Sequence, residues 1–181
     1  QNTIQDVLLN RLSAGQAVYT LASRLKILFS SLADVETPHP SVLLPALEEL
    51  AELVIIDVPA HDKDWLKTKR EVVLVSQSDF PSVLNLRKIA LQAKVKGVVL
   101  NRVYSEPKEL SVKNVADFVH ATVLGCIPEE PRLRESLRVG QPLIELYPEL
   151  NTTSAFKRTA ANLMNIEYHS PLKSPPLLAR L

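Results

Sequence analysis

The sequence predicts an α/β fold: a parallel sheet layered between helices, three layers in all. Three observations carry the α/β reading. Short continuous apolar runs (72–75, 98–100, 122–127) read as strands buried on both faces, because a half-exposed strand would alternate apolar and polar residues. Stretches with apolar residues three and four apart stand between these runs and read as amphipathic helices. Each run also ends in polar residues, which a parallel sheet would gather along one edge.

The elements follow in order. Leu25 to Phe29 is a short strand. Val42 to Ala51 is a helix with Leu43, Leu47 and Leu50 on one face, Ser41 as its N-cap and Pro45 expected in its first turn. Leu53 to Asp57 and Glu71 to Ser76 are strands. Pro81 to Lys94 is a helix with a stripe of Val83, Leu86, Ile89, Ala90 and Ala93, capped by Ser78 or Asp79. Val95 to Leu100 is a strand, and Ser111 to His120 a helix capped by Ser111. Thr122 to Ile127 is a strand ending at Pro128, Pro131 to Val139 a short helix stopped by Gly140, and Ser154 to Asn165 the last helix. No repeat or internal boundary is evident. Residues 1–166 read as one domain and 167–181 as a proline-rich, extended tail.

Composition removes several function classes. The 181 residues are 46% hydrophobic and 23% charged with net charge +1, which gives no electrostatic case for nucleic acid or an anionic membrane. The single cysteine, Cys126, excludes an intrachain disulfide and a cysteine-cluster metal site, and its apolar surroundings read as those of a buried thiol. His39, His120 and His169 are too scattered for a metal site. No apolar run approaches the roughly 20 residues of a membrane span, and the first residues do not form a signal peptide, so a cytoplasmic location is expected. Leu177 to Leu181 is too short for an interfacial helix, so no membrane-targeting helix is read here.

The strand ends hold the candidate chemistry. They offer Asp57, then Ser76 to Asp79, then Asn101 and Arg102, then Pro128, Glu129 and Glu130. An aspartate after four apolar residues is, on local sequence, first the cap of an Asx-turn at a strand end, and it also suits a carboxylate aimed at hydrated magnesium beside phosphates. Asn101 suits either a turn or a purine edge, since its amide both donates and accepts. The arginines of 131–138 read as a solvated face or as a rim contacting a partner.

Taken in order, TIQDVL, LVIIDVPA, EVVLVSQSD, VKGVVLNRV, VLGCIPEEPRLRESLRVGQPLIEL and SAFKRTAANLM resemble the MinD/ParA family of deviant-Walker P-loop ATPases, its MinD branch above all, over residues 3–165. The resemblance implies ATP and magnesium as cofactors, a nucleotide-sandwich homodimer or a partner protein, and a positional switch in division-site placement or partitioning. On matching positions it makes Asp57 the Walker-B carboxylate, catalytic through a water-mediated magnesium. It makes Asn101 the adenine reader with Arg102 beside it, and Pro128 and Glu129 (with Glu130 beyond) the lining of the base pocket. The reaction implied is in-line attack of water on the γ-phosphate.

The pattern also departs from that family. No GK[ST] triplet occurs, and Gly15, Gly97, Gly125 and Gly140 stand too far apart to make a phosphate-cradling loop. TIQDVL resembles a segment well downstream of that loop, so the chain is expected to begin inside the domain, without its N-terminal strand, loop and helix. It is expected not to hydrolyse ATP alone. His61 stands where the family's DxPxG pattern has glycine, which removes backbone freedom; His61 to Asp64 reads as a solvated turn. Three readings follow: a MinD/ParA-like ATP-binding switch, a non-catalytic interaction scaffold with a decayed nucleotide site, or a ligase relative among such NTPases.

Overall fold

The computed structural model describes residues 2–9, 11–22, 25–31, 39–60, 62–68, 70–104 and 109–169, so His61 and nearly all of the predicted tail lie outside the described residues. The chain forms two compact units, Gln1–Thr68 and Lys69–Leu181.

The first unit contains α1 (Ile4–Leu8), α2 (Ala14–Ala17), β1 (Tyr19–Ala22), β2 (Leu25–Ile27), α3 (Pro40–Glu48) and α4 (Lys63–Leu66). β1 and β2 pair antiparallel, and Tyr19 packs edge-on to Phe29 with ring centroids 5.4 Å apart. Gln5 is 5% exposed and fully employed: its Nε2 donates to Ser30 Oγ at 3.1 Å and its Oε1 accepts from the Ser31 N–H at 2.6 Å. That pairing offsets the cost of burying an amide.

Three expectations fail in this unit. The helix expected from Val42 starts at Pro40, so His39 is its cap, with Nδ1 accepting from the Ser41 N–H at 3.3 Å. Pro45 then falls inside the helix rather than in its first turn, where it leaves the Ser41 carbonyl without an i+4 donor. The strand expected over Leu53–Asp57 does not form: residues 54–59 have no regular structure, and Leu53 and Ile55 are 53% and 76% exposed. A strand needs a neighbour to take its N–H and C=O groups, and none is hydrogen-bonded to this run among the described residues.

The second unit contains β3 (Glu71–Ser76), α5 (Phe80–Ala90), β4 (Lys94–Val103), α6 (Val112–Val119), β5 (Val123–Pro128), α7 (Arg132–Val139), α8 (Leu143–Leu146) and α9 (Asn151–Met164). Its sheet has the order β3-β4-β5 and both pairings are parallel, in agreement with the continuous apolar runs. Leu74, Val98 and Leu100 form a core with Val83 and Leu86 of α5 and Val115 and Val119 of α6. Successive strand residues point to opposite faces. Cys126 packs on that core, and its neighbour Gly125 therefore faces α9, where Thr159 lies against it. Helices thus cover both faces of β4 and β5. Burial pushes the Cys126 thiol pKa up, which agrees with an inert packing residue.

The ends of the helices have local causes. Asp79 caps α5, its Oδ1 accepting from the Ser82 N–H at 3.0 Å, and Pro81 suits the first turn. α6 stops at His120 and α7 at Gly140, both left-handed with φ of 57° and 69°. Hydrogen bonds from the Ser82 side chain and N–H hold the Asp79 carboxyl below its ordinary pKa. A group whose folded pKa is depressed adds stability above its unfolded value that is lost as pH falls through the folded one. Asp79→Ala is therefore expected to cost about 1 kcal/mol at neutral pH. The gap to the unsubstituted protein should close as pH drops below the unfolded carboxylate value of about 3.9. Denaturant titrations at neutral and acid pH check this; an equal gap at both would refute it.

Candidate functional site

The parallel register brings three strand ends to one edge. Ser76 pairs with Leu100, Asn101 with Ile127 and Val103 with Pro128. The register slips between Asn101 and Val103, so Arg102 is an extra, bulged residue. Its φ is 57°, a left-handed conformation that costs a non-glycine residue about 1–2 kcal/mol.

Side chains hold this bulge from several directions. Asn101 Oδ1 accepts the Arg102 N–H at 3.0 Å. Arg102 Nε donates to Glu129 Oε2 at 2.9 Å, and Arg102 Nη2 donates to the Tyr104 hydroxyl at 3.2 Å. The Tyr104 N–H donates to both oxygens of Glu109, at 3.0 and 3.2 Å. The Glu129 N–H donates to the Val103 carbonyl at 3.1 Å, which fixes the Pro128–Glu129 peptide beside β4. Glu129 first, and Tyr104 second, push the Arg102 pKa further up. The side chains of this ion pair are 47% and 23% exposed, so solvent screens it and it does not by itself account for the strained backbone at Arg102.

Asn101, Arg102, Pro128 and Glu129 thus lie together at the strand ends. Glu130 turns elsewhere: its Oε1 accepts the Arg132 N–H at 3.1 Å, at the start of α7. Asp57 belongs to the first unit, is exposed, and makes no hydrogen bond or ion pair among the described residues. Sequence reasoning missed Tyr104 and Glu109. Both follow the β4 run within a few residues, and a polar aromatic just beyond a strand-end arginine was the available signal. In the predicted arginine face of α7, Arg132 lies over the Tyr147 ring at 5.1 Å, and the Tyr147 hydroxyl donates to Glu135 at 2.8 Å.

This edge carries donors, an acceptor and a flat cation that could meet a planar ligand. Asn101 spends its oxygen on the backbone and keeps its Nδ2 donors, Glu129 keeps an acceptor oxygen, and Arg102 offers a flat cation. These groups fit a purine base, and Asn101, Arg102 and Glu129 would hold it. No group of three or more His, Cys, Asp and Glu among the described residues could hold a metal ion. Asp57 alone fits only a contact to a hydrated magnesium whose other ligands come from phosphates.

A parallel sheet covered by helices, with polar groups at its carboxyl edge, is an open α/β architecture. Within that class, the chain has the fold of the MinD and ParA ATPases. It superposes on the cell-division ATPase MinD of Pyrococcus furiosus with a TM-score of 0.81 and 21% identity, over 90% of this chain and 75% of that one. The septum site-determining protein MinD of Pyrococcus horikoshii, solved with Mg-ADP, gives 0.73 and 19% over 90% and 73%. A ParA family ATPase from Chlorobium tepidum gives 0.71 and 14% over 90% and 75%. In sequence, the chain is 29% identical over 185 residues to an uncharacterized ATP-binding protein of Methanocaldococcus jannaschii, covering 94% of this chain and 70% of that protein. No family model matches the chain.

No helix among the described residues is long and apolar enough to cross a membrane.

Proposed function

We propose that this protein is a MinD/ParA-like ATP-binding positional switch of the division-site or partitioning type. It works in the cytoplasm, either as a homodimer or with a partner protein, and uses ATP with magnesium. The observation that carries the reading is the strand-end cluster of Asn101, Arg102, Pro128 and Glu129, on a fold shared with MinD and ParA ATPases. The ATP-binding relative and the Mg-ADP bound to the Pyrococcus horikoshii MinD support the cofactors. Asn101 reads the base, Arg102 and the Pro128–Glu129 peptide frame it, and Asp57 faces the hydrated magnesium. The 181 residues alone do not turn over ATP, because they contain no lysine loop for the phosphates.

Calorimetry with ATP–Mg on the intact protein tests the reading. Measurable binding is expected, and Asn101→Ala should weaken it about tenfold, the equivalent of roughly 1.4 kcal/mol. Asp57→Ala should remove the difference between ATP with and without magnesium. Absence of ATP binding by the intact protein would overturn the proposal. His61, in the place of the family's glycine, favours a second reading: a non-catalytic interaction scaffold that keeps the fold with a degenerate site. The same absence of binding would support it.

A further inference from the structure

Resting on the nucleotide reading above, we propose that Tyr104 is a positioning residue of the base site. Its hydroxyl fixes the Arg102 guanidinium as a flat platform that favours purine over pyrimidine nucleotides. The inference starts from the number of anchors on that group. One bond, from Nε to Glu129 at 2.9 Å, would leave the guanidinium free to rotate about it. The second bond, from Nη2 to the Tyr104 hydroxyl at 3.2 Å, lies on the same edge and fixes the plane. Nη1 makes no hydrogen bond among the described residues, and the Arg102 side chain is 47% exposed, which leaves room for a ligand to reach it.

Tyr104 is itself held by its backbone. Its N–H is shared by both Glu109 oxygens, which anchors the residue just past the end of β4. Tyr104 is 51% exposed and belongs to no core cluster, so packing does not explain its placement. From its strained φ of 57°, Arg102 reaches both Glu129 just past β5 and Tyr104 just past its own strand. A planar, weakly hydrated cation stacks on a base in proportion to the base's π-face, and purines offer the larger face. A lysine here would supply charge without a plane.

The test measures base preference in the intact protein, with ATP, CTP and inorganic tripolyphosphate as probes in calorimetric competition. Tyr104→Phe removes one oxygen from an exposed ring. It should weaken ATP about fivefold while leaving CTP and tripolyphosphate within about twofold, so that the ATP-to-CTP ratio contracts. Arg102→Lys, which keeps the charge beside Glu129, should contract the ratio at least as far. An unchanged ratio in Tyr104→Phe, with ATP still bound by the unsubstituted protein, overturns the positioning role and leaves the nucleotide reading standing. An equal loss for all three probes overturns it too, since that outcome marks a general structural role. If the unsubstituted protein binds tripolyphosphate and ATP equally well, the base site fails and the positioning role fails with it.

Discussion

Leu100→Ala is expected to lower the stability of the second unit by about 2–5 kcal/mol, the range for deleting a fully buried leucine. Leu100 is 1% exposed at the centre of β4, in the cluster formed by Leu74, Val98, Val83, Leu86, Val115 and Val119. Its neighbours come from two strands and two helices, packed as densely as protein interiors are, so the cavity left by three carbons cannot fully collapse. For a chain of this size each kcal/mol moves the melting temperature by about 2–4 °C, so the transition should fall by roughly 5–15 °C. Val75→Ala is the matched control. Val75 is also a strand residue but is 62% exposed on β3, and its loss should stay within about 0.5 kcal/mol. The chain has two compact units, so a single melting curve does not isolate the second one. Hydrogen exchange of the β4 amides does, and equal protection losses for the two variants would contradict this account of the core.

The same burial explains what the sequence disclosed. The strands at 71–76, 94–103 and 123–128 form around continuous apolar runs because each has a hydrogen-bonded neighbour and a helix-covered face. The run at 53–57 looks equivalent on paper, yet no strand among the described residues pairs with it, and its side chains stand in solvent. Periodicity reports what a segment could bury, not whether a partner is there to bury it. β1 went unread for a related reason: four residues, Tyr19–Ala22, give too short a window for any period. Pro45 shows a third limit, because a proline was expected to keep to the first turn and the helix simply began earlier, at Pro40.

The candidate site was legible in its residue types but not in its wiring. Asn101, Arg102, Pro128 and Glu129 were identifiable as strand-end residues, since the topology of a parallel sheet gathers such ends. The slip in register that makes Arg102 a bulge has no signal in sequence, because arginine is not a residue that left-handed positions favour. Glu129 and Glu130 are adjacent and chemically identical, and only the fold separates them. One carboxylate takes the guanidinium of Arg102, while the other takes the first free N–H of α7. That division sets one acid on the Arg102 bulge and the other where the positive end of a helix favours it.

Gly125→Ala is expected to destabilise the second unit by about 1–3 kcal/mol, the usual cost of an added methyl in a packed interior. A Cβ built at Gly125 would overlap the Thr159 hydroxyl and lie 2.8 Å from Thr159 Cβ. Helix α9 cannot slide aside to make room, because one turn further on Asn162 Nδ2 donates to the Leu124 carbonyl at 2.8 Å and pins it to β5. Thr159 cannot swing away freely either, since its hydroxyl donates to the Ala155 carbonyl at 2.8 Å. The collision therefore has to be relieved by moving the strand or the helix. Thr159→Ala removes the hydroxyl and the methyl but leaves Cβ, so in that background Gly125→Ala should cost less without becoming neutral. Residues in contact typically show coupling of about 0.5–3 kcal/mol in a double-mutant cycle. Four denaturation curves measure it, and the same cost for Gly125→Ala in both backgrounds would show that the close approach of α9 to β5 is not what requires glycine there.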